Sequence, residues 1–421
     1  MLEGSTQVEV TSKWSHSGAA VRSPPVWSAT LPAAPVWPAT LLGMRVLLCP
    51  DKFAGTLPAQ EVAAAVAEGW REVAEADQLF IRPLADGGPG FVAVLAEALG
   101  GRRIAVPTVA PLGRPAAGEI LLTDDGTAYL ESAQACGLHL LARAERDPKA
   151  TTSYGLGALV TAAIEHGART VVIGLGGSAT NDAGAGMLAA LGVTPLDGAG
   201  LALPYGGAAL AAVAGLDGSP RLRGATLVAA TDVDNPLLGL HGASNVYGPQ
   251  KGATREDVLL LDAALERFAA VLERDLPGCP AGLGALPGGG AAGGLGAAIL
   301  ALGGRCESGI GLVTRAIGLP AALDAADLVI TGEGSFDHQS LRGKVVAGVA
   351  GAARDRGVPC VVLAGQVSTG RREAAAAGVT DAYSLVEHFG GEERGGLDAA
   401  LSRPAEGLRQ LGARLARQWS R

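Results

Sequence analysis

Residues 170–188 read TVVIGLGGSATNDAGAGML: a run of β-branched residues, then glycines and hydroxyls, then small residues able to enter a helix. A strand that breaks into a glycine loop and resumes as a helix is the repeating unit of an α/β fold. The same grammar recurs outward in both directions. Upstream, RVLLC (45–49) leads to a helix from Pro58 to about Ala76, then LFIRPL (79–84) and a second helix from about Phe91. Downstream, TLVAAT (226–231), DLVIT (327–331) and PCVVLA (359–364) read as further strands, most of them followed directly by Gly, Asp, Ser or Thr. In the first helix Pro58 suits the N1 position, and Val62, Val66, Trp70 and Val73 share one face, which reads as core.

The alternation breaks at 103–131, where GEILLTDDGTAYLE reads as two strands about an Asp125-Gly126 turn. The glycine-rich stretch 281–296 reads as a hinge, a helix approach or a flexible return. These two breaks place a discontinuous domain at 44–102 and 290–421 around an inserted mixed α/β domain at 103–289. Residues 1–43 stand apart, with a near-duplicate of PVWSATLPA (from Pro25) and PVWPATLLG (from Pro35) that makes no core. Either they are a disordered arm or translation starts at Met44.

Composition narrows the function classes. A chain of 421 residues, 48% hydrophobic and 18% charged with 63 glycines, is not disordered and has length for roughly two or three domains. A net charge of −8 argues against a general nucleic-acid binder. Backbone amides or a divalent cation can still hold an anion locally. Five cysteines with no C-x-x-C pair indicate neither a disulfide framework nor a zinc knuckle, so a reducing cytoplasm is the expected setting. No apolar run reaches the roughly 18 residues of a membrane helix.

Chemistry is concentrated at the ends of the strands, where ligands bind in open α/β sheets. In the loop 174–186, Gly176, Gly177, Ser178 and Thr180 suit a phosphate cradle, with Asn181 beside them. The loop also fits G-x-G-x-x-A through Gly174, Gly176 and Ala179, with Asp197 near the place of a ribose-binding acid, so an NAD(P)-dependent oxidoreductase is one reading. Asp182 would repel a bare pyrophosphate; it suits a metal-bound phosphate, a general base, or a helix cap. PLADGGPG (83–90) sets Asp86 on a glycine turn as metal ligand, base or ordinary turn residue, and Asp51 and Lys52 follow the first strand. Asp232, Asp234 and Asn235 cluster after TLVAAT, and YGPQKG adds Gln250 and Lys251. Oxygen ligands there fit a hard cation such as magnesium. TGEGSFDHQSLRGK (331–344) carries Glu333, Asp337, Gln339 and Lys344. There is no P-loop, no G-x-S-x-G elbow and no histidine pair at metal-ligand spacing.

Taken together, PDKFAGTL (50–57), PLADGGPG, GLGGSATNDAGAGML, DVDNPLLG (232–239), YGPQKGA (247–253) and ADLVITGEGSFDHQS (326–340) resemble, in order and across 44–421, the bacterial glycerate kinases of the first type. The resemblance implies two α/β domains, one of them Rossmann-like and discontinuous. It implies transfer of the γ-phosphoryl of ATP to D-glycerate, generally at the 2-hydroxyl, with Mg2+. The family often has lysine where Ala54 stands, and its A-D-G-G-E-G-T is Ala85 to Phe91 here, with Pro89 in place of the glutamate. On this reading Asp182 or Asp86 accepts the hydroxyl proton, Asp232 and Glu333 hold magnesium, and Lys251 and Lys52 neutralise the phosphoryl group or the glycerate carboxylate. Asp51, Asn235, Gln250, Asp337 and Gln339 complete the binding set. The changes at Ala54, Pro89 and Phe91 keep a non-catalytic glycerate or nucleotide sensor open as the alternative. The oligomeric state, a homodimer included, is left open.

Overall fold

The computed structural model describes residues 43–53, 55–341 and 345–420. The extension 1–42, Ala54 and Lys344 lie outside the described residues. In chain order the strands are β1 (Arg45–Pro50), β2 (Gln78–Ile81), β3 (Arg102–Val109), β4 (Pro115–Leu122), β5 (Thr127–Glu131), β6 (Thr170–Gly174), β7 (Val193–Leu196), β8 (Gly215–Gly218), β9 (Thr226–Ala230), β10 (Arg305–Glu307), β11 (Leu328–Phe336), β12 (Cys360–Val367) and β13 (Asp381–Ser384). One sheet, ordered β13-β12-β11-β1-β2, is parallel throughout. The other, ordered β10-β9-β6-β5-β4-β3, is parallel from β10 to β5 and antiparallel across the β5-β4-β3 hairpins. The strands β7 and β8 form a separate antiparallel pair.

Period-2 alternation sorts the side chains into three apolar layers. In the parallel sheet, Val46, Leu48, Ile330 and Leu363 face helix α1 (Ala59–Arg71) and the terminal helix Pro404–Trp419. The alternate residues Leu47, Cys49, Val329 and Val362 face helix α2 (Phe91–Leu99) and the helices Gly309–Ala316 and Val345–Arg354. That helical layer is shared: Leu121, Val172, Val228 and Ala230 of the second sheet pack into it from the other side. Their neighbours Val171, Ile173, Leu227 and Ala229 face outward to helices Tyr154–Glu165, Arg255–Asp275 and Ala291–Ala301.

Three local expectations are corrected. Pro58 is the N-cap of α1 rather than its first residue, and α1 ends at Arg71, so Val73 is 39% exposed while Val62, Val66 and Trp70 are buried. The strand β10 pairs with β9, so the second sheet extends past 289 and a division at 290 would cut it. The glycine-rich stretch is held too tightly for a hinge: Gly288 and Gly290 are buried and donate their N–H groups to the carbonyls of Asp234 (3.1 Å) and Asn235 (2.9 Å).

Candidate active site

Because β1 and β11 run parallel and in register, the Asp51 N–H donates to the Gly332 carbonyl at 2.8 Å, and Asp51 and Lys52 emerge at the carboxyl end of the sheet. The turn after β2 brings Asp86 to the same place. The Lys52 ammonium lies 3.5 Å from both Asp51 Oδ1 and Asp86 Oδ1. Burial pulls Lys52 down, but the two carboxylates outweigh it and leave its pKa raised. Burial, with Asp86 as a like charge nearby, pushes Asp51 up to about 6 despite Lys52. Burial also opposes the charge on Asp86, but Lys52 and the Gly88 N–H, at 3.1 Å, overcome it and hold Asp86 below the usual carboxylate range. Asp86 keeps 32% of its side chain exposed, so it is the ionised and accessible member of the group. Beside Asp51 and Lys52 opens a cleft of about 280 Å3, walled by Phe53, Leu57, Leu84 and Pro89.

The glycine loop of the second sheet closes against this turn. The Gly176 N–H donates to the Gly87 carbonyl at 3.1 Å, and a Cβ on Gly176 would lie 2.5 Å from Gly88 Cα. Asp232, at the end of β9, accepts from the Ser308 hydroxyl (2.6 Å) and the Ile310 N–H (3.0 Å) at the start of helix Gly309–Ala316. Burial raises its pKa, and Asp86 raises it further. Gly309 packs between the two: a Cβ there would sit 2.5 Å from the Asp86 carbonyl oxygen and 3.3 Å from Asp232 Oδ2. A hard cation would relieve this pair of like charges, and magnesium needs only one or two carboxylates when phosphates supply other ligands. Among the described residues no group of three or more His, Cys, Asp or Glu side chains converges as a metal cage.

Other expected site residues are placed differently. Asp182 is 1% exposed and already holds the Ser153 N–H and hydroxyl (2.8 Å each), the Gly184 N–H (3.1 Å) and the Gly186 N–H (3.2 Å). It fixes the loop and fills the amides of the short helix behind it, which corrects the reading of Asp182 as a base and of those amides as free for phosphate. Thr180 and Asn181 are fully buried, Asn181 donates to Ser244, and Ser178 is 6% exposed, so in this conformation only Gly176 and Gly177 of the cradle are open to the surface. Asn235 is committed at both ends of its amide, to the His241 carbonyl and the Tyr247 hydroxyl. Gln250 and Gln339 are exposed, and Asp337 caps its own turn by accepting from the Gln339 and Ser340 N–H groups. Glu333 lies within β11, opposite Ala364 of β12, because the strand runs on to Phe336 instead of ending at Thr331. Asp197 accepts from the Ala199 and Leu201 N–H groups in a hairpin turn, which removes the ribose role and with it the dinucleotide reading.

Lys251 forms an inner centre. It is 2% exposed and donates to Ser178 Oγ (3.1 Å) and the Thr180 carbonyl (2.7 Å). Burial pulls its pKa down to about 7 from 10.5, against the charge of Asp182. The unfolded chain therefore takes up a proton between those values that the folded chain does not, and stability falls as the pH is lowered towards 7. Urea unfolding of wild type and Lys251→Met, followed from about pH 9.5 to about pH 7, checks this; the wild-type slope exceeds the variant's by up to about 1.4 kcal/mol per pH unit. Equal slopes would show that the buried amine stays charged.

Sequence reading missed Glu131, Ser153 and Ser308, each of which holds a site loop or site carboxylate. Glu131 carried a usable signal, a lone carboxylate at a strand end, as Asp232 did.

Comparison with known proteins identifies the family. A sequence model of the Glycerate kinase family matches residues 46–420. A glycerate kinase of Halalkalibacterium halodurans is 41% identical over 346 residues, 81% of this chain and 90% of that one. A glycerate 2-kinase of Escherichia coli (strain K12) is 41% identical over 355 residues, 82% of this chain and 92% of that one. A crystal structure from Salmonella typhimurium LT2, provisionally assigned as glycerate kinase 2, superposes with a TM-score of 0.73 at 39% identity over 89% of this chain and 98% of that one. The chain belongs to the glycerate kinase family and is a kinase.

Proposed function

We propose that the chain phosphorylates D-glycerate from ATP with Mg2+, 2-phosphoglycerate being the favoured product. The observation that carries this reading is the Asp51–Lys52–Asp86 group, with Asp51 and Lys52 lining a cleft and the Asp86 turn hydrogen-bonded to the glycine loop through Gly87 and Gly176. The relative from E. coli named glycerate 2-kinase supports the choice of hydroxyl.

Phosphoryl transfer asks the protein for positioning and for charge on the moving oxygens rather than for covalent chemistry. The attacking hydroxyl oxygen bonds to the γ-phosphorus as the bond to the bridging oxygen of ADP breaks. Asp86, ionised and accessible, accepts the hydroxyl proton. Lys52, held charged by Asp51 and Asp86, faces the negative phosphoryl oxygens, while the backbone of Gly176 and Gly177 and the Ser178 hydroxyl hold phosphate. Asp232 would hold Mg2+, directly or through water, with Glu333 as the further candidate; when bound, the ion screens phosphate charge. Lys251 sets the Ser178 hydroxyl from behind.

Phosphorus NMR of the full chain with ATP and D-glycerate, with and without Mg2+ and with each reactant left out, tests the reading. A magnesium-dependent phosphoglycerate resonance at the 2-position is expected. Unreacted ATP in the presence of bound glycerate would overturn it in favour of ligand sensing.

A further inference from the structure

The turn that carries Asp86 belongs to the parallel-sheet half of the molecule, yet a residue of the other sheet ties its far end. Glu131, the last residue of β5, is 6% exposed. Its Oε1 accepts the Gly90 N–H at 3.1 Å and the Val92 N–H at 2.8 Å, at the start of α2. Two residues earlier on the same strand face, Tyr129 meets the ring of Phe91 edge to face, with centroids 6.3 Å apart. The turn 86–90 is therefore held at three points: Lys52 and the Gly88 N–H at Asp86, the Gly176 N–H at Gly87, and Glu131 at Gly90.

We propose that Glu131 is a positioning residue for phosphoryl transfer, fixing the N-terminus of α2 from the opposite sheet so that the turn holds Asp86 against Lys52. A carboxylate at a helix N-terminus has reason to be there on stability grounds alone, since it caps the helix and meets its dipole. What exceeds that role is the short path from the cap to the reacting group, only four residues from Gly90 to Asp86 along a turn also tied at Asp86 and Gly87. Burial raises the Glu131 carboxyl's pKa, while the two amides and the charge of Lys52 lower it.

The proposal rests on placing the reaction at Asp86, and the test is arranged to separate the two. Steady-state kinetics are measured per mole of folded protein, with folding checked by circular dichroism, for Glu131→Ala, Glu131→Gln, Glu131→Asp and, in parallel, Asp86→Asn. A misplacement of about 1 Å near reacting atoms costs about 100-fold in rate. Glu131→Ala is therefore expected to lose about 10- to 100-fold in kcat, with KM for both substrates changed by no more than about threefold. Glu131→Gln recovers most of this, because its carbonyl oxygen accepts the same two N–H groups. Glu131→Asp does not, because its carboxylate stops one methylene short. A purely structural cap would lower thermal stability and leave kcat unchanged. Should Glu131→Ala fail to fold, the glutamine and aspartate variants still decide: recovery by aspartate and not glutamine, or wild-type kcat in both, overturns the proposal. Full activity in Asp86→Asn overturns the site placement, and this inference with it. A slow Asp86→Asn beside fast Glu131 variants overturns this inference alone.

Discussion

Asp86→Asn slows phosphoryl transfer by about 10²- to 10⁴-fold, the range for loss of a general base, while the variant folds normally. The asparagine keeps the shape of the side chain and the acceptor for the Gly88 N–H, but cannot take a proton and no longer balances Lys52. Asp86 is partly exposed, so little packing is lost. The check is kcat from a coupled assay beside the melting temperature, and a kcat within a few-fold of wild type would remove Asp86 from the reaction. Asp182→Asn should behave in the opposite way. Its Oδ2 accepts three hydrogen bonds from Ser153 and Gly186. An amide nitrogen there would face donors, at a cost of about 1–3 kcal/mol in stability for each group left unpaired. The folded fraction should retain turnover.

Gly176→Ala is expected to lower kcat about 100-fold, through geometry rather than chemistry. The new Cβ would lie 2.5 Å from Gly88 Cα and 2.8 Å from Gly88 N, and a backbone caught between two loops has no flexible end to yield. The phosphate loop and the Asp86 turn must separate, breaking the hydrogen bond from the Gly176 N–H to Gly87. Gly351→Ala is the control: it lies in helix Val345–Arg354 with no atom within 4 Å of a new Cβ, so it should gain helix propensity and keep kcat. Equal kcat for the two alanine variants would mean that the loops are not required in register.

The reading from sequence located elements better than it located partners. Strand β6 and the hairpin at Gly126 follow from β-branched runs and turn chemistry, which are local. Asp51, Lys52, Asp86 and Asp232 were singled out because a strand end is also local. What the sequence could not show is which carboxylate is already satisfied. Asp182 looks as free as Asp86 until Ser153, 29 residues upstream, closes on it. Glu131 meets Gly90 across 41 residues, a pairing settled by how two sheets pack and not by any pattern within either segment. Glu333 was read as lying past the strand DLVIT, yet the parallel neighbour β12 extends β11 through that position.

The helical layer between the sheets bears on how the molecule can be taken apart. Leu121, Val172, Val228 and Ala230 of one sheet and Leu47, Val329 and Val362 of the other bury their apolar surface on the same helices. Excising the segment that carries the second sheet would strip one wall from a core both halves own, leaving each fragment with a face of bare aliphatic side chains. The chain should therefore melt as one cooperative unit, and fragments cut at the crossings between sheets should recover structure only when mixed, as complementing pieces.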